Sequence, residues 1–223
     1  MIILSALRYH LRIFRVEQLA LPAGLWALFA LMLVLFRHES RRPYDLATSF
    51  LGIVVPLMAG ILSAPAIVED PALELQFSAP RPAWRLLVER LALVLAIAGV
   101  AAVSFQLYSA AAGVSLDGLG NLLRRQLAWI VPCLALSGLS TVAALGTRHA
   151  TGGALLVGLV WIIQTIMRES ISATSWGRYV YLYMGARQPG HPSLVANQAT
   201  LTAIAAALVA IGVLLLRREE RYL

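Results

Sequence analysis

The sequence predicts an all-α polytopic membrane protein: a single transmembrane domain over residues 1–223 with six transmembrane helices. The composition is 60% hydrophobic and 13% charged, with a mean hydropathy of +0.78, which lies outside the range of soluble domains. Apolar runs without a charged residue recur along the chain, and their length suits the hydrocarbon core of a bilayer. The segments between them are too short to bury a core of their own, so no soluble domain is expected.

The N-terminal residues 1–18 form the first predicted element. Apolar side chains, among them Leu4 and Leu7, recur on one helical face, while Arg8, Arg12 and Arg15 share another. This pattern predicts an amphipathic helix lying in the membrane interface. A secretory signal carries its positive charge ahead of the apolar stretch. Because the order is reversed here, we expect the segment to be retained.

Six apolar runs follow, and each predicts one transmembrane helix. They cover residues 18–36, 46–68, 91–115, 126–147, 150–167 and 194–216. With a cytoplasmic N-terminus, ten arginines lie inside and eight outside, which slightly favours cytoplasmic N- and C-termini under the positive-inside rule.

The loop between the second and third runs, residues 69–84, is the most acidic part of the sequence. Four of the eleven acidic residues fall within residues 69–90. Asp70 followed by Pro71 predicts a helix start, and this short helix extends to about Phe77, with Leu73 and Phe77 on one face. We interpret it as a docking surface on the cytoplasmic face. Alternatively, the charges only solvate a turn and anchor two helix ends.

Prolines separate this short helix from the third span. Pro80 breaks it, and Pro82 is well placed to begin the next helix. That helix carries Arg85 and Arg90 into the third span.

Residues 168–198, between the fifth and sixth runs, are too polar to span a membrane. Their centre, from Trp176 to Gly185, is dense in tyrosine, whose amphipathic ring favours the headgroup level. The pattern predicts an extracellular interfacial or re-entrant helix, closed by Gly185 and a turn over residues 188–192. A loop that only touches the membrane is the alternative.

Charge and cysteine content exclude several classes of function. All eighteen basic side chains are arginines that cluster near the ends of the apolar runs, a pattern that suits lipid headgroups rather than nucleic acid. The single cysteine, Cys133, lies in an apolar run and supplies neither an internal disulfide nor a metal-binding cluster. No catalytic, cofactor-binding or metal-binding residues are predicted.

The layout resembles the membrane subunits of type-2 ABC exporters, the ABC-2 permeases. The resemblance lies in the amphipathic N-terminal helix, the six spans and the loop after the second span, where Glu69, Glu74 and Pro80 match the family pattern and Arg85 and Arg90 lead into the third span. A short turn after the fourth span, residues 146–153, a re-entrant segment before the last span and a basic tail are also similar.

The resemblance implies a coupling helix that docks on a cytoplasmic ATPase. The implied docking residues are Glu69, Asp70, Leu73, Glu74, Phe77 and Arg85, with a second contact at Arg148 and His149, and Arg8, Arg12 and Arg15 belong to the amphipathic connecting helix. It also implies two ATPase copies, which bind ATP and Mg, a second copy of this chain or a similar permease, and a bacterial inner membrane. The sequence contains no phosphate-binding loop, so ATP hydrolysis is expected in the partner subunit.

Other functions stay open at this point. The haem-exporter membrane subunit of cytochrome c maturation has the same layout, and a membrane assembly or scaffold subunit would use the same docking loop. Ion-coupled transport is disfavoured because no ionisable residue lies within the six runs, where such groups are costly and kept for coupling. A membrane enzyme is disfavoured because no H-E-x-x-H or G-x-S-G motif is present.

Overall fold

The computed structural model describes residues 16–39, 41–68 and 83–216, and within these ranges it contains helices and turns but no strand. The helices are α1 Val16–Leu35, α2 Arg42–Ser49, α3 Val55–Val68, α4 Ala83–Ala111, α5 Leu122–Thr147, α6 Ala150–Ile166, α7 Arg168–Ala173, α8 Gly177–Val180, α9 Met184–Arg187 and α10 Leu194–Leu216. A π-helical turn, Phe50–Val54, joins α2 to α3 in one continuous helix, and a 3₁₀ turn, Asp117–Leu119, precedes α5.

The described residues confirm the all-helical class, and four helices are long and apolar enough to cross a membrane, as a polytopic membrane protein requires. They are Arg42–Val68, Trp84–Ala111, Leu122–Thr147 and Leu194–Leu216. Two shorter apolar helices, Leu19–Leu35 and Ala150–Ile166, accompany them.

Two of the helices begin earlier than the apolar runs predict. Helix α4 begins at Ala83, eight residues before its apolar run and next to the start that Pro82 predicts. Helix α5 begins at Leu122, four residues before its apolar run. In α5 the first turn is satisfied by Asn121, whose side chain accepts a hydrogen bond from the Arg124 main-chain N–H at 2.9 Å. A charged residue ends an apolar run, but a helix can begin before that residue when its first turn is capped.

Helices α3, α5 and α6 cross closely at small residues. A Cβ atom built on Gly153 of α6 would lie 2.7 Å from the carbonyl oxygen of Ser140 and 2.8 Å from Cβ of Ala64. Gly60 of α3 lies equally close to the Val157 side chain of α6. Small residues let helix backbones approach in this way, and the resulting dispersion attraction holds helices together in an apolar solvent.

An aromatic cluster ties α1 and α4 to the π-turn. The rings of Phe50 and Phe105 stack with centroids 4.0 Å apart, and Phe29 packs against Phe50 at 5.4 Å. Trp26 contacts Phe105 edge to face at 6.0 Å, and Tyr108 donates a hydrogen bond to the carbonyl of Ala30 at 3.2 Å. These contacts fix α1 against the rest of the bundle.

The bundle has two ends, at which its long helices begin and terminate. One end, here called the loop end, is defined by a buried cluster of Ile67, Leu87, Leu91, Leu145 and Leu216. This cluster brings together the C-terminal parts of α3, α5 and α10 and the N-terminal part of α4. The opposite end carries the connections after α1 and α4 and the 168–198 segment, and is called the segment end.

Candidate functional site

The predicted docking residues divide into two groups. Those outside the described residues are Glu69, Asp70, Leu73, Glu74 and Phe77, together with Arg8, Arg12 and Arg15 of the predicted interfacial helix. Those within it are Arg85, Arg148 and His149.

Both stems of the acidic loop lie at the loop end. Helix α3 ends at Val68, which packs against the cluster that defines this end, and α4 begins at Ala83. Leu87, one helical turn into α4, is fully buried in the same cluster. The acidic loop therefore leaves and re-enters the bundle at a single place.

The turn between α5 and α6 lies beside these stems. Arg148 has a left-handed backbone with φ 60° and ψ 19°, a conformation that often ends helices but is uncommon for a residue other than glycine. The Thr147 hydroxyl donates a hydrogen bond to the Ala143 carbonyl at 2.8 Å and also lies 3.2 Å from the His149 carbonyl oxygen. This abrupt reversal leaves Arg148 and His149 exposed.

Gly153 lies between this turn and the end of α3, the first stem of the acidic loop. It lies against Ala64 of α3, and Ala64 is one helical turn before Val68. The structure therefore brings Arg148 and His149 to the same end as both loop stems, on a rigidly packed base.

Arg85 and Arg90 have different environments, although the sequence treats both as a basic lead into the third span. Arg85 is exposed, whereas Arg90 is only 2% exposed and lies between the cluster residues Leu87 and Leu91. Arg90 is engaged there in a polar, ring or electrostatic interaction. Arg90 is thus a buried residue directly before the third apolar run, whereas Arg85 is exposed.

The 168–198 segment folds as three short helices, α7, α8 and α9, rather than as the single helix that the sequence predicts. Its centre, residues 181–184, is buried. Gly185 does not end a helix; it lies inside α9, where a Cβ atom would be 2.9 Å from Cα of Ala128 in α5. A turn does follow, since the His191 N–H donates to the Gln188 carbonyl at 3.0 Å.

Polar side chains from α6 and α10 hold this segment in the bundle. The buried Asn197 side-chain amide donates to the carbonyls of Arg178 and Tyr181, both at 2.9 Å. Gln164 donates to the Val180 carbonyl and accepts from the Leu182 N–H, both at 3.3 Å. Because these partners are main-chain groups without another helix to satisfy them, the side chains replace the missing secondary structure.

Tyr183 anchors the middle of the segment. Its hydroxyl donates to the carbonyl of Trp161 at 3.1 Å and lies 3.4 Å from the Thr165 hydroxyl. Burial raises the pKa of Tyr183 to about 12, from a usual value of 10.0, because the ionised phenolate is desolvated.

This raised pKa predicts a loss of stability in alkali. Below pH 10 the phenol is neutral in both the folded and the unfolded protein, so its contribution is fully present. Between pH 10 and about 12 only the unfolded state ionises, and the free energy of unfolding should fall by roughly 2 to 3 kcal/mol. Chemical unfolding of the reconstituted protein across this range measures the fall. The fall should be smaller in Tyr183→Phe, and an unchanged slope in that variant would contradict this assignment.

Within the described ranges, no group of three or more His, Cys, Asp or Glu side chains is placed to hold a metal ion. The one cysteine, Cys133, is buried and unpaired by any disulfide.

Comparison of the sequence and the structure with known protein families, curated proteins and solved structures gives no match in any of the three. The functional proposal for this chain therefore rests on its own residues and their placement.

Proposed function

We propose that this chain is the membrane-spanning subunit of an ATP-driven ABC exporter, and that it couples to a separate cytoplasmic ATPase subunit at the loop end. One observation carries the proposal: both stems of the acidic loop and the exposed Arg148–His149 turn lie at the same end of the bundle. A docking surface that transmits movement needs this arrangement, because a partner must contact the acidic loop and the Arg148–His149 turn at once to move them together.

The packing beneath this surface supports a coupling role. The α5–α6 turn stands on the close crossing of α3, α5 and α6 at Gly153, Ser140 and Ala64. Protein interiors packed this tightly have low compressibility and transmit displacement. A force applied at the turn or at the loop stems would therefore move α3 and α5, the two most buried helices long enough to span the membrane.

The proposed topology has six spans with both termini in the cytoplasm of a bacterial cell and the loop end facing the ATPase. Helices α1 and α6 would supply the first and fifth spans. With 17 residues, α6 is about 25 Å long, at the short limit for a transmembrane helix. The complete transporter would contain two copies of this chain, or this chain and a similar permease, with two ATPase subunits that bind ATP and Mg.

The distribution of charge supports ATP as the energy source. Among the described residues, the one side chain that is both charged and buried is Arg90. Transporters driven by protons or sodium keep ionisable groups, usually carboxylates, inside the membrane for coupling. The described part of the chain has no buried carboxylate to serve in this way.

Charge reversal at the turn tests the proposal. Arg148→Glu should weaken association with the proposed ATPase subunit by about 10- to 100-fold, because it reverses a charge in the proposed interface. Association is measured in detergent with both purified subunits, and ATP turnover is measured in proteoliposomes. Glu74→Arg, in the acidic loop, should produce the same loss.

Arg124→Glu is the matched control. Arg124 is also an exposed arginine of the same α5–α6 hairpin, but it lies at the start of α5 at the segment end. Its reversal should leave ATPase binding unchanged. The proposal is overturned if Arg148→Glu and Glu74→Arg both bind the ATPase and support turnover as the unaltered chain does.

A further inference from the structure

The π-turn Phe50–Val54 interrupts the most buried of the long apolar helices. The N–H of Val55 donates to the carbonyl of Phe50, five residues earlier, and all five residues of the turn are buried. π-turns are rare, and they persist where neighbouring structure holds them, frequently at functional sites.

The 168–198 segment packs directly on this turn. Gly52, at the centre of the π-turn, is covered by the methyl group of Ala186 so closely that a Cβ atom at position 52 would overlap it. The preceding residue of α9, Gly185, lies against the backbone of Ala128 in α5. Helix α9 therefore packs on both the π-turn and α5.

Trp161 of α6 forms hydrogen bonds with both the π-turn and the 168–198 segment. Its indole N–H donates to the carbonyl of Ile53 in the π-turn at 3.1 Å, while its own carbonyl accepts the hydroxyl hydrogen bond of Tyr183 at 3.1 Å. A third link joins the rims of the two elements, since the Arg187 guanidinium donates to the Ser49 hydroxyl at 3.1 Å.

We propose that the π-turn and residues 180–187 form one latch that closes the segment end of the bundle and opens as a single cooperative unit. Its two fastenings, the contacts that hold it closed, are the packing of Ala186 on Gly52 and the hydrogen bonds of Trp161 with Ile53 and Tyr183.

When the segment leaves, Gly52 loses its cover, and Trp161 loses part of the buried cluster on which it packs, which includes Tyr183 and Met184. The π-turn is then held by its own chain alone, and Pro56, two residues after it, has no N–H to donate to the Gly52 carbonyl. The hydrogen bonds around the turn therefore open when the segment leaves, so the two parts change together.

Hydrogen exchange of the full-length chain in lipid nanodiscs tests the latch, with peptides that cover residues 50–57 and 180–188. Trp161→Phe removes the indole N–H but keeps the carbonyl that binds Tyr183. The loss of one hydrogen bond predicts about fivefold faster exchange, and the latch requires the same factor in both peptides.

Trp129→Phe is the matched control. The Trp129 indole N–H donates to Gln126 within its own helix at 2.8 Å, so the variant loses the same donor without touching either fastening. Because Trp129 packs in one buried cluster with Phe50, Leu51 and Val54, any faster exchange should be confined to the 50–57 peptide. Faster exchange in only one peptide of Trp161→Phe, or an equal effect of Trp129→Phe, would overturn the latch.

A methyl swap provides a second test that does not depend on Trp161. Ala186→Gly should speed exchange in both peptides by removing the cover of Gly52, whereas Gly52→Ala should do so by forcing the two backbones apart. The double variant moves the methyl group to the other side of the same contact, so it should restore slow exchange in both peptides. No rescue, or rescue in one peptide alone, would overturn the proposal. The experiment needs no ATPase, so its result is independent of the proposed transport function.

Discussion

Gly153→Ala is expected to destabilise the bundle by about 2 to 3 kcal/mol, the cost of overpacking a well-packed interior. The added methyl group would lie 2.7 Å from the Ser140 carbonyl oxygen and 2.8 Å from Cβ of Ala64. The first of these atoms is backbone and the second is a Cβ fixed to it, so rotation of a side chain cannot relieve the contact. The helices α3, α5 and α6 must separate instead, and the dispersion attraction near the crossing weakens.

Gly158→Ala is the matched control, because a methyl group added to Gly158, on the same helix, would have no atom within 4 Å. Removing a flexible glycine from a helix there should raise the free energy of unfolding by up to about 1 kcal/mol. The same substitution thus has opposite signs five residues apart. Reversible unfolding of both variants in mixed micelles measures the difference, and equal effects would show that the crossing at Gly153 is not tightly packed.

The helical class and membrane character could be predicted because they depend on local composition. Helices α6 and α10 coincide with their apolar runs almost to the residue, since each run begins where a turn sequence ends. Placing Arg148 and His149 at the same end as the loop stems follows from the alternation of spans. The roles of Glu69, Asp70, Leu73, Glu74 and Phe77 stay predictions.

The π-turn could be predicted only as a disturbance of the helix. Pro56 has no N–H to donate to the Gly52 carbonyl, which favours a kink or a bulge at this point without selecting a π-turn. The contacts of the turn with Ala186 and Trp161 join residues more than a hundred positions apart, so no local pattern predicts them.

The tyrosines of the 168–198 segment mislead for a related reason. A tyrosine ring favours the membrane interface only where the hydroxyl has water or headgroups to bind. Tyr183 finds the Trp161 carbonyl within the protein instead, so the centre of the segment is buried.

The burial of Arg90 could have been predicted from its position along α4, although its charge argues against burial. Leu87, Leu91, Val94, Ala98, Ala102 and Phe105 form a buried stripe along α4, and Arg90 falls on that stripe, three residues after Leu87 and four before Val94. Helical spacing places residues three or four apart on one face. The third apolar run starts at residue 91, after the charge. This start leaves Arg90 out of the buried stripe to which it belongs.

Arg90→Met should therefore lower the free energy of unfolding by about 3 kcal/mol, the cost of removing one partner of a buried charged interaction. Methionine keeps much of the side-chain volume, so the loss reports the guanidinium rather than a cavity. Arg90 is 2% exposed and takes part in a polar, ring or electrostatic interaction, which methionine would remove. Arg90→Lys retains the charge but not the planar fork, so it should recover about half of the loss.

Arg85→Met is the matched control, since Arg85 is exposed on the same helix and surface substitutions usually stay within about 0.5 kcal/mol. Hydrogen exchange should also separate the two variants. Because Arg90 is surrounded by the loop-end cluster, Arg90→Met should speed exchange near Ile67, Leu145 and Leu216, whereas Arg85→Met should not. If Arg90→Met were as stable as Arg85→Met, the buried guanidinium would contribute nothing to the loop end, and the rigid base proposed beneath the docking surface would rest on apolar packing alone.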